Sequence, residues 1–214
     1  MNTELSSSKI YKVINYIFWG YIMLAALSLV DDMFAIIKIN FAGNAAYRFF
    51  LIFIGIATLV LTVLFLIFYT IWIFKFHKNM QTIDSWYDVS PGGAIARFWI
   101  PIYNLYGLWN IHSTYSNQLK KQKDQLKEQG ELFSRLYPVL YILYYISRGL
   151  GKFILKNSFR QYVDEKTEIT ISIIASVVDI ILFLVWLKVV KIMNDTLVEQ
   201  ARQAAQEEIE LNNQ

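Results

Sequence analysis

One carboxylate stands in the middle of the last apolar run of the chain and is the strongest candidate for chemistry. Asp179 follows Ile169 by 10 residues in a run that continues to Val190. At helical rise this places it ~15 Å into the run. An unpaired carboxylate that deep in hydrocarbon costs ~2.5–3.5 kcal/mol, so it should face protein and be paired or protonated. It could fix helix register, or it could handle protons or ions.

Several polar side chains could partner this carboxylate. Ser172 and Ser176 share its helix face, and small residues let another helix approach closely. A polar stripe in the preceding apolar segment includes Arg148, whose long side chain could reach Asp179, and tyrosines that could donate hydrogen bonds. The candidate intramembrane polar cluster is therefore Asp179, Arg148, Tyr141, Tyr144, Tyr145, Ser172 and Ser176.

A second set of residues, His77, Asp84, Asp88 and His112, could in principle bind a metal ion. Their spacing matches no known ligand motif, and exposure to water would explain their polarity without a metal. The chain has no cysteine, which excludes disulfides, thiolate metal sites and cysteine nucleophiles. Hydrolase, zinc-protease, phosphate-loop and dinucleotide motifs are also absent. The sequence therefore predicts no catalytic residue, cofactor or metal.

The composition predicts an integral membrane protein. The 214 residues are 56% hydrophobic and 17% charged, against about 45–50% and about 25% in soluble domains. A single domain of this size lacks the interior volume to hide that excess, so lipid must cover part of it. No basic stripe is interleaved with stacking aromatics, so the bilayer rather than nucleic acid is the expected partner.

Four apolar segments predict transmembrane helices. The first, 11–30, could instead be a signal peptide, but it is too long and too aromatic for a typical ~7–15-residue signal core. The second, 49–74, carries no charge. The third, 136–155, is weaker because Arg148 interrupts it, and the fourth is 169–190. At ~20 residues per hydrocarbon thickness, we predict an all-α membrane protein with four spans.

The loop 75–131 between the second and third spans contains a segment of mixed character. Residues 94–111 are apolar but include Arg97, Pro101 and Asn104. A spanning helix would tolerate one of these, but the three together fit an interfacial or a re-entrant segment better.

Residues that are typical of turns and helix ends predict the local structure around that segment. The stretch 88–93 (DVSPGG) predicts a turn. A helix is expected to start at Asn104 as its N-cap and to stop at Gly130. The tail 194–214 is rich in Glu and Gln and is expected to be a polar helix.

The distribution of Lys and Arg predicts the orientation. More of them lie in segments that are cytoplasmic if the N-terminus is inside than in segments that would then be outside. Both termini and the loop 75–131 are therefore expected in the cytoplasm, at the inner membrane of a bacterium. The basic residues between Arg148 and Lys166 argue the other way.

The sequence IFKFHKNM, followed by SPGGAIARFWIPIYNLYGLW, carries a family resemblance. It resembles the central signature of the bacterial domain-of-unknown-function family 4328. The chain departs from the family pattern at Leu108, where a proline is usual, and at Gly93, where a tryptophan is usual. The resemblance implies a multi-spanning bacterial membrane protein with no established activity. The matching positions are His77, Asn79, Ser90, Pro91, Gly92, Trp99, Pro101, Asn104 and Leu105.

Three functions remain open on the sequence. The leading hypothesis is a non-enzymatic sensor, scaffold or accessory subunit that binds a protein partner through the cytoplasmic loop or tail. The alternative is a small transporter or channel that uses Asp179, which would require a homo-oligomer because four helices enclose little pore. The third is a lipid-modifying enzyme that uses the interfacial segment and His112.

Overall fold

The chain is helical throughout the part that the structure describes. The computed structural model describes residues 5–37, 45–85, 87–122, 124–160 and 163–212. Within these stretches it has six helices and no strand, which confirms the predicted all-α class. The helices are α1 (Ser6–Ile36), α2 (Ala45–Ile83), α3 (Pro91–Trp99), α4 (Pro101–Lys121), α5 (Asp124–Arg160) and α6 (Glu165–Asn212).

Three of the described helices, α1, α2 and α6, are long and apolar enough to cross a membrane. Each extends beyond its predicted span because the helix continues into polar residues at its ends. Helix α6, for example, covers both the apolar run 169–190 and the tail as far as Asn212. Helix α5 contains the weaker run 136–155.

Packing divides the chain into two compact units. The polar unit consists of Met1–Asn15, Leu66–Pro138 and Lys188–Gln214, and the apolar unit consists of Tyr16–Phe65 and Val139–Leu187. Helices α1, α2, α5 and α6 each contribute one segment to each unit, whereas α3 and α4 belong wholly to the polar unit.

Aromatic rings hold the interior of the apolar unit together. The ring centroid of Phe18 on α1 lies 5.5 Å from that of Phe65 on α2 and 5.6 Å from that of Trp186 on α6. Tyr21 stacks on Phe183 at 4.7 Å, which adds a second contact between α1 and α6. Offset and edge-on ring pairs of this kind stabilise packing beyond the apolar area that they bury.

The outer face of the apolar unit is hydrophobic. Only 6% of the most apolar 18-residue window of α2 is buried, and Phe53, Ile56 and Leu59 are each more than half exposed. A soluble protein rarely exposes so continuous an apolar face, so the surface suits contact with lipid.

In the polar unit a buried tyrosine joins four helices. The ring of Tyr115 on α4 meets Phe76 of α2 edge-on at 5.1 Å and Phe133 of α5 at 5.7 Å. Its hydroxyl lies 2.6 Å from Oγ1 of Thr196 on α6. The polar unit is therefore a packed helical body with a hydrogen bond at its centre.

Two hydrogen bonds tie the start of α1 into the same unit. Ser8 Oγ donates to Oδ1 of Asn194 on α6 at 3.0 Å, and Nδ2 of Asn79 on α2 donates to Ser7 Oγ at 2.9 Å. The first turn of α1, the end of α2 and the middle of α6 therefore lie together.

The segment 94–111 is broken in two at Ile100, so the prediction that Asn104 caps a helix is wrong. Ile100 is extended (φ −83°, ψ 116°) and is followed by Pro101 as the first residue of α4. A residue before proline is pushed out of the helical region, and proline lacks the N–H that would continue α3. The side chains of Pro101, Asn104 and Leu105 lie outside the described residues.

The Ser-Pro-Gly motif starts a helix, so the predicted turn ends at Ser90. The Ser90 hydroxyl accepts a hydrogen bond from the Gly93 backbone N–H at 3.1 Å, and Pro91 occupies the first helical position of α3. Serine at the N-cap followed by proline is a favoured helix start, because the serine hydroxyl accepts from an otherwise unpaired backbone N–H and proline has no N–H that needs an acceptor.

Gly130 does not stop a helix as predicted, because α4 already ends at Lys121. The chain reverses at Asp124, whose φ is +50°, and Gly130 lies inside α5. A Cβ at this position would be 2.8 Å from Cβ of Leu119 and 2.9 Å from the backbone N of Lys120. The glycine therefore permits close approach of α4 and α5.

A second close approach, of α4 to α3, generates a stability prediction. A Cβ at Gly107 would lie 2.7 Å from both Cβ and Cγ of Arg97 and 3.3 Å from its Cα. Gly107→Ala should lower the free energy of unfolding by about 1–3 kcal/mol, because the Arg97 stem and α3 have to move. Thermal unfolding of the detergent-solubilised protein measures the change.

The matched control for that substitution is Gly92→Ala in α3, where a Cβ meets nothing within 4 Å. It should leave the unfolding midpoint unchanged or raise it slightly, since alanine is the better helix former. Equal midpoints for the Gly107 and Gly92 variants would contradict the α3–α4 contact.

Candidate functional site

Asp179 has a hydrogen-bond partner on α5, but this partner is Ser147 and not the predicted Arg148. Ser147 Oγ donates to Asp179 Oδ1 at 2.6 Å. Arg148 is exposed and, within the described part of the chain, makes no ion pair with Asp179; its guanidinium carbon lies 6.0 Å from the ring centroid of Tyr144. Adjacent helical residues point about 100° apart, so only one of the two can face α6.

The two serines of the predicted cluster bind a different carboxylate. Ser172 and Ser176 donate to Oδ2 of Asp32 on α1, at 2.9 Å and 3.5 Å. The neighbouring Asp31 accepts a hydrogen bond from Tyr47 Oη at 2.8 Å. The small-residue face of α6 therefore meets α1. The sequence carried a signal for this contact, since two aspartates close the first apolar run.

Two of the three predicted tyrosines contact each other. Tyr144 and Tyr145 contact each other edge-on at 5.5 Å, and Tyr145 is 46% exposed. Tyr141 is half-buried. Six of the seven predicted residues thus separate into three groups within the apolar unit: Asp179 with Ser147, Ser172 and Ser176 with Asp32, and Tyr144 with Tyr145 and Arg148.

The polar unit contains a buried histidine that pairs with a tyrosine. His77 on α2 is fully buried, and its Nδ1 lies 2.8 Å from Tyr87 Oη. The two rings also stack with their centroids 5.5 Å apart. His77 Nε2 is buried and has no hydrogen-bond partner among the described residues. Sequence reasoning identified His77 but missed Tyr87, which occupies a loop with no distinguishing pattern.

Helix α3 brings Arg97 beside the same stretch of α2. Tyr87, four residues before the start of α3, contacts His77. At the other end of α3, Trp99 Nε1 donates to Oγ1 of Thr70 on α2 at 3.1 Å. Burial lowers the pKa of His77, and the positive charge of Arg97 lowers this pKa further, so the two side chains lie within electrostatic range of each other. Arg97 Nη1 is buried and unpaired among the described residues. His77, Tyr87 and Arg97 form the histidine–arginine cluster.

The second histidine lies near this cluster, on α4. His112 Nδ1 is 3.0 Å from the backbone oxygen of Leu108, and the ring packs against Phe133 and Tyr137. Burial lowers the pKa of His112 to about 4, so the ring is uncharged at neutral pH.

The described residues hold no group of three or more His, Asp or Glu side chains that could bind a metal. His77 pairs with Tyr87, and Asp84 accepts a hydrogen bond from Gln118 Nε2 at 2.7 Å. Asp88 is exposed. The structure therefore does not assemble the four candidate ligands into a metal site.

Comparison with known proteins finds no relative: no family model matches the chain, and searches of curated proteins and of solved structures return no match. The resemblance to family 4328 therefore rests on its motif residues alone. Four of them make side-chain hydrogen bonds here. Asn79 bonds to the start of α1, and Ser90 bonds to α3. Trp99 bonds to α2, and His77 pairs with Tyr87.

Substitution of Asp179 tests whether its carboxylate fixes helix register or supports a charge-dependent function. Asp179→Asn keeps an acceptor for Ser147, so a register role predicts a change in stability below about 1 kcal/mol. Asp179→Leu removes that acceptor and should cost about 1–3 kcal/mol. Thermal unfolding in detergent gives both values.

Ser147→Ala is the control, because it removes the same hydrogen bond and keeps the carboxylate. A charge-dependent role predicts instead that Asp179→Asn inserts and folds normally but loses function. If Asp179→Leu is as stable and active as the parent chain, neither role holds.

Proposed function

We propose that this chain is a bacterial inner-membrane protein with four spans and with both termini in the cytoplasm. The order of the helices supports the fourth span. Helices α2 and α6 both begin in the apolar unit and end in the polar unit. If the polar segments that follow the apolar runs of α2 and α6 lie on the same side of the bilayer, both helices cross it in the same direction, so an intervening crossing is required. Helix α5 is the element that leads back from the polar unit into the apolar unit.

The side chains of α5 support the same assignment. Val139, Ile142, Ile146 and Phe153 are each at least 40% exposed and follow helical spacing along one face. That face suits lipid, while Ser147 makes its hydrogen bond to α6. Polar residues that face neighbouring helices lower the average hydropathy of a span. This explains why the apolar run 136–155 is weaker than the other three.

Single cysteines test this topology, since the chain has none of its own. Gln125→Cys and Glu165→Cys both replace exposed residues next to the ends of α5. In intact cells, a membrane-impermeant maleimide should label the variant at 165 and not the one at 125, whereas lysed cells should label both. Labelling of both positions, or of neither, in intact cells would mean that α5 does not cross.

We propose further that the segment 94–111 lies in the cytoplasmic interface. Trp99 is 52% exposed and Ile100 is 43% exposed, at the point where α3 meets α4. The indole N–H of Trp99 bonds to Thr70, close to the end of the apolar run 49–74. An exposed tryptophan at that level is typical of the headgroup region.

The function that this architecture supports best is that of a non-enzymatic sensor, scaffold or accessory subunit. The observation that carries it is the distribution of buried polar side chains, most of which belong to the polar unit. Buried polar side chains that are held by hydrogen bonds favour one specific folded body over a loose set of loops, and the charged ends of α5 and α6 are exposed to a protein partner. These buried residues are Ser7, His77, His112, Ser116, Asn194, Thr196 and Gln200.

Purification of the tagged full chain from its native membranes tests this function. After mild crosslinking, a partner should co-purify at a fixed stoichiometry. Two variants locate the contact: truncation after Arg202 removes the exposed end of α6, and Lys127→Glu with Glu128→Lys reverses exposed charges on α5. One of them should lose the partner while inserting normally. Recovery of the chain alone, or of a partner that both variants retain, would contradict the proposal.

A transporter or channel is the second candidate, and two carboxylates favour it. Asp32 contacts α6 through Ser172, and Asp179 on α6 contacts α5 through Ser147, so both lie at helix contacts of the apolar unit. Ionisable residues inside spans often mark ion or proton pathways. This function would require a homo-oligomer, and flux into proteoliposomes that Asp179→Asn abolishes would distinguish it from the sensor.

A further inference from the structure

The basic residues that argue against the proposed orientation begin on one face of α5. Arg148 and Lys152 are four residues apart, so they are neighbours on one side of the helix, and Tyr145 lies on the same side one turn earlier. All three residues are exposed, Tyr145 by 46%. Tyr145, Arg148 and Lys152 form the basic stripe, to which the proposed function assigns no role.

The surface around the basic stripe is open. Ser147, which bonds to α6, points about 100° away from Arg148. A Cβ at Gly149 or at Gly151, next to the stripe, would meet nothing within 4 Å. Within the described part of the chain, no other helix therefore covers this side of α5.

The two cations have no charged partner within the chain. Neither Arg148 nor Lys152 makes an ion pair or a hydrogen bond among the described residues, and the Arg148 guanidinium carbon lies 6.0 Å from the ring centroid of Tyr144, at the outer limit of a cation–π contact. Outside the described stretches the sequence has one carboxylate side chain, that of Glu4, which the proposed topology puts on the cytoplasmic side. The stripe therefore presents two positive charges to whatever covers it.

Both cations belong to the half of the proposed span that leads to the connection between α5 and α6. Arg148 precedes Leu155, the end of the apolar run, by seven residues and Lys152 precedes it by three, which is ~10 Å and ~5 Å at helical rise. An unpartnered cation in hydrocarbon is costly, so arginine and lysine at such depths extend toward the headgroups.

We propose that the basic stripe binds the phosphate group of an anionic phospholipid in the leaflet at this end of α5. Guanidinium and ammonium groups only donate hydrogen bonds, and phosphate oxygens accept from both. The exposed apolar face of α5, which includes Ile146 and Phe153, adjoins the stripe through Gly149 and contacts the acyl chains of the same lipid.

Charge favours this occupant over two others. In a two-fold dimer the same patch of each copy faces the other, so a second copy would bring four cations together. A zwitterionic lipid carries a cation of its own, which the stripe repels. Binding of an anionic lipid also accounts for basic residues on the side where the orientation rule predicts few.

Thermal unfolding of the full chain in dodecyl maltoside, whose headgroup carries no phosphate, tests the lipid site. Dioleoyl phosphatidylglycerol should raise the unfolding midpoint saturably, by roughly 5 °C, and dioleoyl phosphatidylcholine should raise it much less. The double variant Arg148→Gln with Lys152→Gln should weaken the apparent affinity for phosphatidylglycerol by roughly tenfold or more, because each basic residue near the headgroups adds to the attraction.

The matched control is Lys120→Gln with Lys127→Gln, which removes two exposed cations from the polar unit and changes the net charge equally. It should respond like the parent chain. Equal responses to the two lipids, an unchanged affinity in the double variant, or an equal loss in the control overturns the proposal. If the double variant does not fold, Lys152→Gln alone decides, and an unchanged affinity there has the same consequence.

The mass of the detergent-solubilised protein tests the second copy as occupant. A dimer that the double variant loses, without any preference for phosphatidylglycerol, would assign the stripe to a second copy and overturn the lipid site.

The lipid site rests on the proposed crossing of α5, and the cysteine labelling separates the two. Labelling of both 125 and 165 in intact cells contradicts the crossing and with it the lipid site. Labelling of 165 alone, together with equal responses to the two lipids, contradicts the lipid site and keeps the crossing.

Discussion

Hydrogen bonds between helices select which faces pack together in the apolar unit, and the aromatic contacts fill the space between them. Lipid tails are as apolar as the side chains that face them, so hydrophobic burial gives little reason for one helix to prefer another. Polar groups do, because no water is present to satisfy them. Three side-chain hydrogen bonds in this unit join different helices: Tyr21 to Thr62 between α1 and α2, Ser172 to Asp32 between α6 and α1, and Ser147 to Asp179 between α5 and α6.

In the polar unit, burial of apolar side chains drives the packing. Its core is made of large rings such as Trp72, Phe76 and Tyr115, all fully buried, and burial of apolar area provides a driving force wherever water covers the outside. Hydrogen bonds inside this core, such as the one between Tyr115 and Thr196, then favour one packing arrangement over others. One helix can take part in both units because its residues change from one kind of packing to the other along its length.

The sequence predicted the long apolar helices and the all-α class, because run length against bilayer thickness is a strong signal. It did not predict which polar residue of α5 meets Asp179, since Ser147 and Arg148 differ by one position and the rotation of a helix is set by packing. The helix start predicted at Asn104 and the helix end predicted at Gly130 are also wrong, because tertiary packing and neighbouring residues decide where a helix begins and ends. Both have the residue type of a helix end, but the break at Ile100 comes from the following proline, and Gly130 serves a close contact.

Helices α5 and α6 also differ in stiffness. Helix α6 has 48 residues without a glycine or proline, so it behaves as an unbroken rod of ~72 Å. Helix α5 contains Pro138, which removes one rung of its hydrogen-bond ladder and favours a bend there. Local opening of the helix is therefore expected to begin more readily beside Pro138 in α5 than within the interior of α6.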